Sequence, residues 1–301
     1  MKPKNILKIE SLSQLHKAFG LEKPVHPLVS VVKLEDVTIA PNSLPDFLAL
    51  NFYKIAYKVE FDGGIKYGQN YYDFREGGLV FTAPNQTFQS PDQKRHGYLL
   101  FVHPDFLLSY QLSKKIKQYG FFSYETNEAL HLSGTEKSTI ISIIKTIQKE
   151  LNSRIDDYSQ DIVISQLELL LNYSNRFYKR QFITRKAVNN ELLHRLEEIL
   201  DDYFNSEKSL VQGIPTVQYL SERLNISASY LSDMLRSLTG QNTQQHIHNK
   251  LVEKAKELIT TTPLTVAEIA YQLGFEHPQS FSKFFKTKVK ISPLEFRQSF
   301  N

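Results

Sequence analysis

Gln279 and Lys283 stand four residues apart, and Lys283, Lys286, Lys288 and Lys290 follow one another without an acid between them. On a helix an i, i+4 pair shares one face, so this stretch presents an amide together with a row of ammonium groups. Such a row is suited to phosphate and predicts salt-dependent binding. Upstream, Ser229, Ser232, Asp233 and Arg236 form a second polar face of different character. Other chemistries find little support. The chain has no cysteine, which removes disulfides, thiolate zinc sites and cysteine nucleophiles. His26, His96 and His103 are isolated in the N-terminal half and read as surface or core residues. His246 and His248 form a His-x-His pair, but on a helix i and i+2 face apart. The chain contains no glycine-rich phosphate loop and no nucleophile motif.

The elements that must carry the two polar faces are a repeat. The segment from Val217 to Ile226, VQYLSERLNI, recurs from Val266 to Phe275 as VAEIAYQLGF, and each copy reads as helix, tight turn, helix. A steep helix crossing needs a small residue, supplied by Ser221 and Ala270. The turn favours a residue that tolerates positive φ, supplied by Asn225 and Gly274. Ile226 and Phe275 plug the corner. The second helix of each pair starts at Ser227, as N-cap, or with Pro278 in its first turn. Leu231, Met234 and Leu235, repeated as Phe281, Phe284 and Phe285, are the expected core. Between the copies, Gln244 to Ile259 is periodic in Ile247, Leu251, Ala255 and Leu258 without Gly or Pro, which predicts one rod of about 24 Å. That length would set the two second helices roughly one duplex turn, about 34 Å, apart.

At 301 residues the chain is long enough for two domains, its formal charge is only +4, and no window approaches the run of about 18 apolar residues a membrane span needs. A cytoplasmic location is expected. From about 27 to 103 the pattern is that of a β-barrel or sandwich. Its expected strands are Leu28 to Leu34, Phe52 to Phe61, Asn70 to Phe74, Leu79 to Ala83 and Gly97 to His103, with turns at Asp62-Gly63-Gly64 and Glu76-Gly77-Gly78. Its aromatic residues, Phe52, Tyr53, Tyr57, Phe61, Tyr67, Tyr71, Tyr72 and Phe74, suit core and sheet surface more than a ligand pocket. Helices follow over about 104 to 180: Leu112 to Tyr119, Glu136 to Leu151 with Ile140, Ile143, Ile144 and Ile147 on one face, and Asp161 to Tyr178, which could serve as a dimer seam. A basic stretch including Arg176, Lys179, Arg180, Arg185 and Lys186 reads as a solvated linker over 181–190, ahead of a final domain at 191–301.

The residues Ala255-Lys256-Glu257-Leu258-Ile259, Thr265 to Ala270, Gly274-Phe275, Ser280 to Lys286 and Ser292-Pro293-Leu294-Glu295-Phe296-Arg297 resemble the DNA-binding domain of the AraC/XylS family of bacterial transcription regulators, and the N-terminal half more loosely resembles the cupin-like domain that often precedes it. The resemblance implies an α+β multidomain fold: a cupin-like β-barrel with following helices over 1–180, then an all-α double helix-turn-helix, homeodomain-like domain. It implies base contacts at Ser229, Ser232, Asp233, Pro278, Gln279 and Lys283, with DNA backbone contacts expected at Ser227, Arg236, Lys250 and Lys286. Gln279 suits adenine and Lys283 suits guanine. The family's usual arginine in the middle of the linker helix is Lys250 here, and its glycine before the final Ser-Pro is Lys290. Acidic Glu191, Glu197, Glu198, Asp201, Asp202, Glu253 and Glu257 bring the domain's net charge near zero, so the positive field is local to the second copy. Expected partners are double-stranded DNA, a small-molecule effector in the N-terminal domain, a second copy of the chain as homodimer, and RNA polymerase; no cofactor, metal or enzyme activity is expected. Two rivals stand beside this reading: a ligand-independent regulator controlled by abundance or a protein partner, and a cupin enzyme fused to a DNA-binding domain.

Overall fold

The computed structural model describes residues 6–39, 45, 47–59, 65–67, 70–72, 77–89, 96–125, 128–154 and 156–300. The chain divides into two compact units, 1–181 and 182–301.

In the first unit, strands β1 (Ile6–Ile9), β2 (Val29–Lys33), β3 (Phe47–Leu50), β4 (Tyr53–Lys58), β5 (Ile65–Tyr67), β6 (Asn70–Tyr72), β7 (Gly78–Thr82), β8 (Thr87–Gln89), β9 (Gly97–Val102) and β10 (Leu130–His131) are joined by helices α1 (Leu12–Ala18), α2 (Leu112–Lys115), α3 (Gly134–Leu151) and α4 (Ser159–Thr184). Among the described residues they make a five-stranded sheet ordered β10-β7-β4-β9-β2, a three-stranded sheet β1-β3-β8, and the hairpin β5-β6. Central strand β4 is covered on both faces, so all of Tyr53 to Tyr57 is buried, as expected for a doubly covered strand. On one face Tyr53 meets Phe122 edge-on, and Phe81 joins Phe121, Phe122 and Tyr178 in an aromatic layer. On the other, Ala56, Leu99 and Phe101 pack with Leu48 and Leu50 of β3 and Leu12 and Leu15 of α1.

Several expectations need correction. Among the described residues no sheet closes: the five-stranded sheet has free edges at β2 and at the two-residue β10, and β3 pairs with β1 and β8 in a sheet of its own. The described residues thus form a β-rich unit with helices, without a closed barrel among them. Phe61, Phe74 and the turn Asp62-Gly63-Gly64 lie outside the described residues, whereas Phe52, Tyr53 and Tyr57 are core. The helix expected from Leu112 to Tyr119 is one α-turn followed by a 3-10 turn. The stretch 181–190 is helical: α4 runs to Thr184, and α5 (Lys186–Asn205) starts after a single turn residue, Arg185. Asn189 is buried there and its amide donates to Phe182 O at 2.6 Å. Arg180, read as part of a solvated linker, is instead a bidentate partner of Glu136, at 3.1 and 2.7 Å, and donates to His131 O.

The second unit continues with α6 (Lys208–Gln212), α7 (Val217–Leu224), α8 (Ala228–Thr239), α9 (Thr243–Thr261), α10 (Val266–Gln272), α11 (Pro278–Val289) and α12 (Pro293–Gln298). Helix α9 is its spine and packs against α5, α8, α10, α11 and α12. The stripe Ile247, Leu251, Ala255 and Ile259 is buried, and nineteen residues at about 1.5 Å each give a rod of about 28 Å. No helix among the described residues is long and apolar enough to cross a membrane.

Candidate nucleic-acid interface

The two copies of the repeat close their turns with the same bonds. In the first, Ile226 N donates to Ser221 O at 3.1 Å and Asn225 N to Glu222 O at 3.2 Å; in the second, Phe275 N donates to Ala270 O at 2.9 Å and Gly274 N to Tyr271 O at 3.0 Å. This paired pattern is a Schellman motif, which places the turn residue in the left-handed region. Asn225 has φ 55° and Gly274 φ 88°. Ser221 and Ala270 are buried at the helix crossing. Ile226 is buried; Phe275 is half-buried, edge-on to Phe281. Upstream, Thr216 and Thr265 cap α7 and α10, the latter in a full capping box with Glu268. Hydrogen bonds from the Thr265 side chain and backbone hold the Glu268 carboxyl below its usual range. Downstream, Ser227 caps α8 by accepting from Tyr230 N, and Pro278 takes the first position of α11.

The copies differ on their outer faces. On α11, Gln279, Lys283, Lys286, Lys288 and Lys290 are exposed and Pro278 is half-buried. On α8, Ser229, Ser232 and Asp233 are half-buried. The Ser232 hydroxyl shares a hydrogen bond of 2.9 Å with Thr243, a fully buried residue at the start of α9. Arg236 Nη1 donates to Asp233 Oδ1 at 2.8 Å, so those opposite charges meet each other on the helix surface. Of the three α8 residues expected to contact bases, Ser232 is therefore bonded to a buried residue and Asp233 is paired with Arg236.

Lys250, expected on the DNA backbone, is ion-paired within the protein. Its ammonium lies 2.7 Å from Asp201 of α5 and 3.4 Å from Glu253, with 17% of the side chain exposed. Burial would lower it, but the hydrogen bond it donates to Asp201 and the charges of Glu253 and Asp201 outweigh that and raise its pKa. It ties α9 to α5. His246 and His248 brace the spine on opposite sides, as their spacing requires: His246 Nε2 meets Thr239 Oγ1 at 2.9 Å, while the His248 ring stands edge-on to Phe284. Burial lowers both imidazoles, and the charge of Lys288 adds to the effect at His248.

Three positioning roles escaped the sequence reading. Thr243 has been described. Arg297 donates to Ile259 O at 3.0 Å and Leu264 O at 2.7 Å, fastening α12 to the end of the spine. Gly213, at φ 77°, packs its backbone against Gly274 so closely that a Cβ on Gly274 would lie 2.5 Å from Gly213 C and 2.8 Å from Ile214 N. The signal for Gly213 was the Gly-Ile-Pro sequence just before the first copy.

The family model described as a helix-turn-helix domain matches residues 220–299. The chain carries an AraC-type helix-turn-helix domain at its C-terminus. Among curated relatives, an uncharacterized HTH-type transcriptional regulator of Staphylococcus aureus (strain MSSA476) is 22% identical over 261 residues, covering 87% of this chain and 33% of that protein. The lactose operon transcription activator of Staphylococcus xylosus is 26% identical over 170 residues, covering 56% of this chain and 58% of that one. Against the first relatives matched, the chain thus spans about a third of their length. Among solved structures, the C-terminal domain of the two-component response regulator yesN from Fusobacterium nucleatum is 34% identical, covering 35% of this chain and 95% of that one, with a TM-score of 0.31. The AraC-type domain accounts for both repeated units, the spine between them and α12.

Proposed function

We propose that this chain is a sequence-specific DNA-binding transcription regulator whose two helix-turn-helix units address successive major grooves. The observation that carries this reading is the pair of matching Schellman turns held on one spine helix, with the amide and four lysines of α11 left exposed. A spine of about 28 Å, widened by its flanking units, suits the roughly 34 Å between successive major grooves. In α11, Gln279 and Lys283 read base edges and Lys286 neutralises phosphate. Pro278 approaches the groove at the helix start. In α8, Ser229 makes the main base contact, and Ser227 and Arg236 lie along the backbone. Ser232 and Asp233 act there only if their internal bonds exchange for DNA.

The N-terminal β-rich unit is the regulatory part, a cupin-like domain that takes a small-molecule effector. Helix α4 exposes Ile162 and Leu169, one face two turns long, which serves as the seam of a homodimer. RNA polymerase is a further partner when the chain is on DNA.

Selection of bound sequences from a random pool, followed by a salt titration, tests the reading. Gln279→Ala and Lys283→Ala should relax preference at particular base pairs, each good pair being worth about 1 to 3 kcal/mol. Lys286→Ala should weaken all sequences alike and reduce the slope of log affinity against log salt by about 0.9. If the wild-type chain selects no sequence, the proposal is wrong.

A further inference from the structure

The two edges of the five-stranded sheet are treated differently. At β10 the outward backbone groups are taken up by side chains of α4: Gln181 accepts from His131 N at 2.8 Å and donates to Ala129 O at 3.2 Å, and Arg180 donates to His131 O at 2.7 Å. Covering an edge in this way blocks the addition of another strand. At β2 the edge stays open. His103 N donates to Leu28 O, and the register pairs Val29 with Val102 and Val31 with Leu100. Leu28, Ser30 and Val32 therefore turn their backbone groups to β9, whereas Val29, Val31 and Lys33 turn theirs away. The Val29 N–H meets His26 Nδ1 at 3.2 Å. The Val29 C=O, both groups of Val31 and the Lys33 N–H have no hydrogen-bond partner among the described residues.

A cleft of about 230 Å³ runs along this edge. All five successive residues from Val29 to Lys33 border it, and since alternate residues of a strand point to opposite faces, only a cleft beside the edge touches them all. It is walled on both sides. Ser30 bonds to His16 of α1 and Val32 packs in the core with α1, so these two face the wall made by α1 and the segment after it, with Leu21 and Val25. Val31 faces the other wall, the end of α3 with Gln148, Leu151 and Asn152. Neighbouring strands lie about 4.8 Å apart, so an added strand would occupy the space between the walls. A second copy could not bring its own β2 there, because its walls would need the same space. In charge, Glu22 and Lys23 on one wall and Lys33 and Asp36 at the end of the strand balance each other. The α3 wall tips the sum: Lys145 and Lys149 stand one turn before Gln148 and Asn152, and the groove they border with Ser138, Ile141, Ser142 and Thr146 has no acid.

We propose that β2 receives an extended segment of a partner protein as a sixth strand of this sheet, a segment with an apolar residue opposite Val31 and acidic residues beside it. The N–H and C=O of Val31 exchange two hydrogen bonds with that residue, and the Val29 C=O and Lys33 N–H continue the ladder. Its side chain lies beside Val31 against Leu151, while the acids meet Lys33, Lys145 and Lys149. The inference goes beyond the DNA reading and does not rest on it.

Selection of a phage-displayed library of random heptapeptides on the full-length chain tests it. The enriched sequences should carry an apolar residue flanked by Asp or Glu, and fluorescence polarisation of a labelled synthetic copy gives its affinity. Methylating alternate backbone nitrogens of that peptide should abolish binding in one register and spare it in the other, a pattern that side-chain recognition alone does not produce. Val31→Pro removes the outward N–H without breaking a ladder bond and should weaken binding at least tenfold. Leu151→Glu, which puts a carboxylate in the wall, should do the same and serves if Val31→Pro fails to fold. The Val31 amide should exchange its hydrogen quickly in the free chain and slowly with peptide bound. No enriched peptide, an affinity unmoved by the folded variants or by methylation in either register, or slow exchange at Val31 without peptide overturns the proposal. A dimer that Val31→Pro dissociates would assign the edge to a second copy and overturn it as well.

Discussion

Gly274→Ala is expected to unfold the C-terminal unit far more readily than its position in a surface turn suggests. Two costs add. At φ 88° an alanine adopts the left-handed conformation, worth about 1 to 2 kcal/mol against it. Its Cβ would also stand 2.5 Å from Gly213 C and 2.8 Å from both Gly213 O and Ile214 N. Those neighbours are backbone, so relief requires the α6–α7 connection to shift, and overpacking of this kind costs about 1 to 3 kcal/mol. The sum is about 2 to 5 kcal/mol. With a urea slope near 1.5 kcal/mol per molar, the midpoint should fall by roughly 1.3 to 3.3 M. The matching change in the first copy, Asn225→Ala, adds no Cβ where none stood, so it escapes the clash and should lose less, about 1 kcal/mol for the left-handed conformation. Urea titration followed by far-ultraviolet circular dichroism reads both variants, since the second unit is almost wholly helical. Equal midpoints for Gly274→Ala and Asn225→Ala would refute the close approach of Gly213 as the reason for glycine at 274.

Lys290 ends α11 at φ 76°, its ammonium donating to Thr287 O at 3.1 Å, so Lys290→Gly should raise stability by about 0.5 to 1 kcal/mol, visible as a higher Tm. Lys250→Met removes the tie to Asp201 and Glu253, both partly exposed, and should cost about 1 kcal/mol of stability; the salt slope of DNA binding should be unchanged, and a slope lowered as in Lys286→Ala would place Lys250 on phosphate after all. His26 Nδ1 accepts from the N–H groups of Leu28 and Val29, and burial lowers its pKa. The unfolded chain therefore binds the proton more tightly, so stability rises with pH between the lowered value and about 6.5, and falls on acidification through that window. His26→Asn keeps an acceptor without titrating and should flatten that part of a Tm against pH curve.

What was legible in the sequence was local. The turns at Asn225 and Gly274, the cap at Ser227 and the start at Pro278 depend on a residue's own φ and on neighbours within one turn, so residue type alone reveals them. The buried stripe of α9 is likewise written in its period. Less was legible wherever the partner is distant in sequence. A lysine at 250 on an amphipathic helix reads as solvent-facing until Asp201 is brought beside it, and Ser232 reads as an outward hydroxyl until Thr243 arrives. Strands β1, β3 and β8 are three or four residues long, too short for a period to show, and sheet closure depends on pairings no local pattern encodes. Arg180 reads as part of a basic run because its carboxylate partner, Glu136, lies on α3.

The bond between Ser232 and Thr243 bears on how such a regulator changes its targets over generations. A substitution at 232 disturbs a buried junction, and if Ser232 also contacts DNA as proposed, that position is answerable to folding and to recognition at once. Gln279, Lys283 and Lys286 answer, on the proposed reading, to recognition alone, since their side chains are exposed. On the proposed reading, new binding sites would be acquired through α11, while α8 changes slowly and keeps an inherited half of the site in common among descendants.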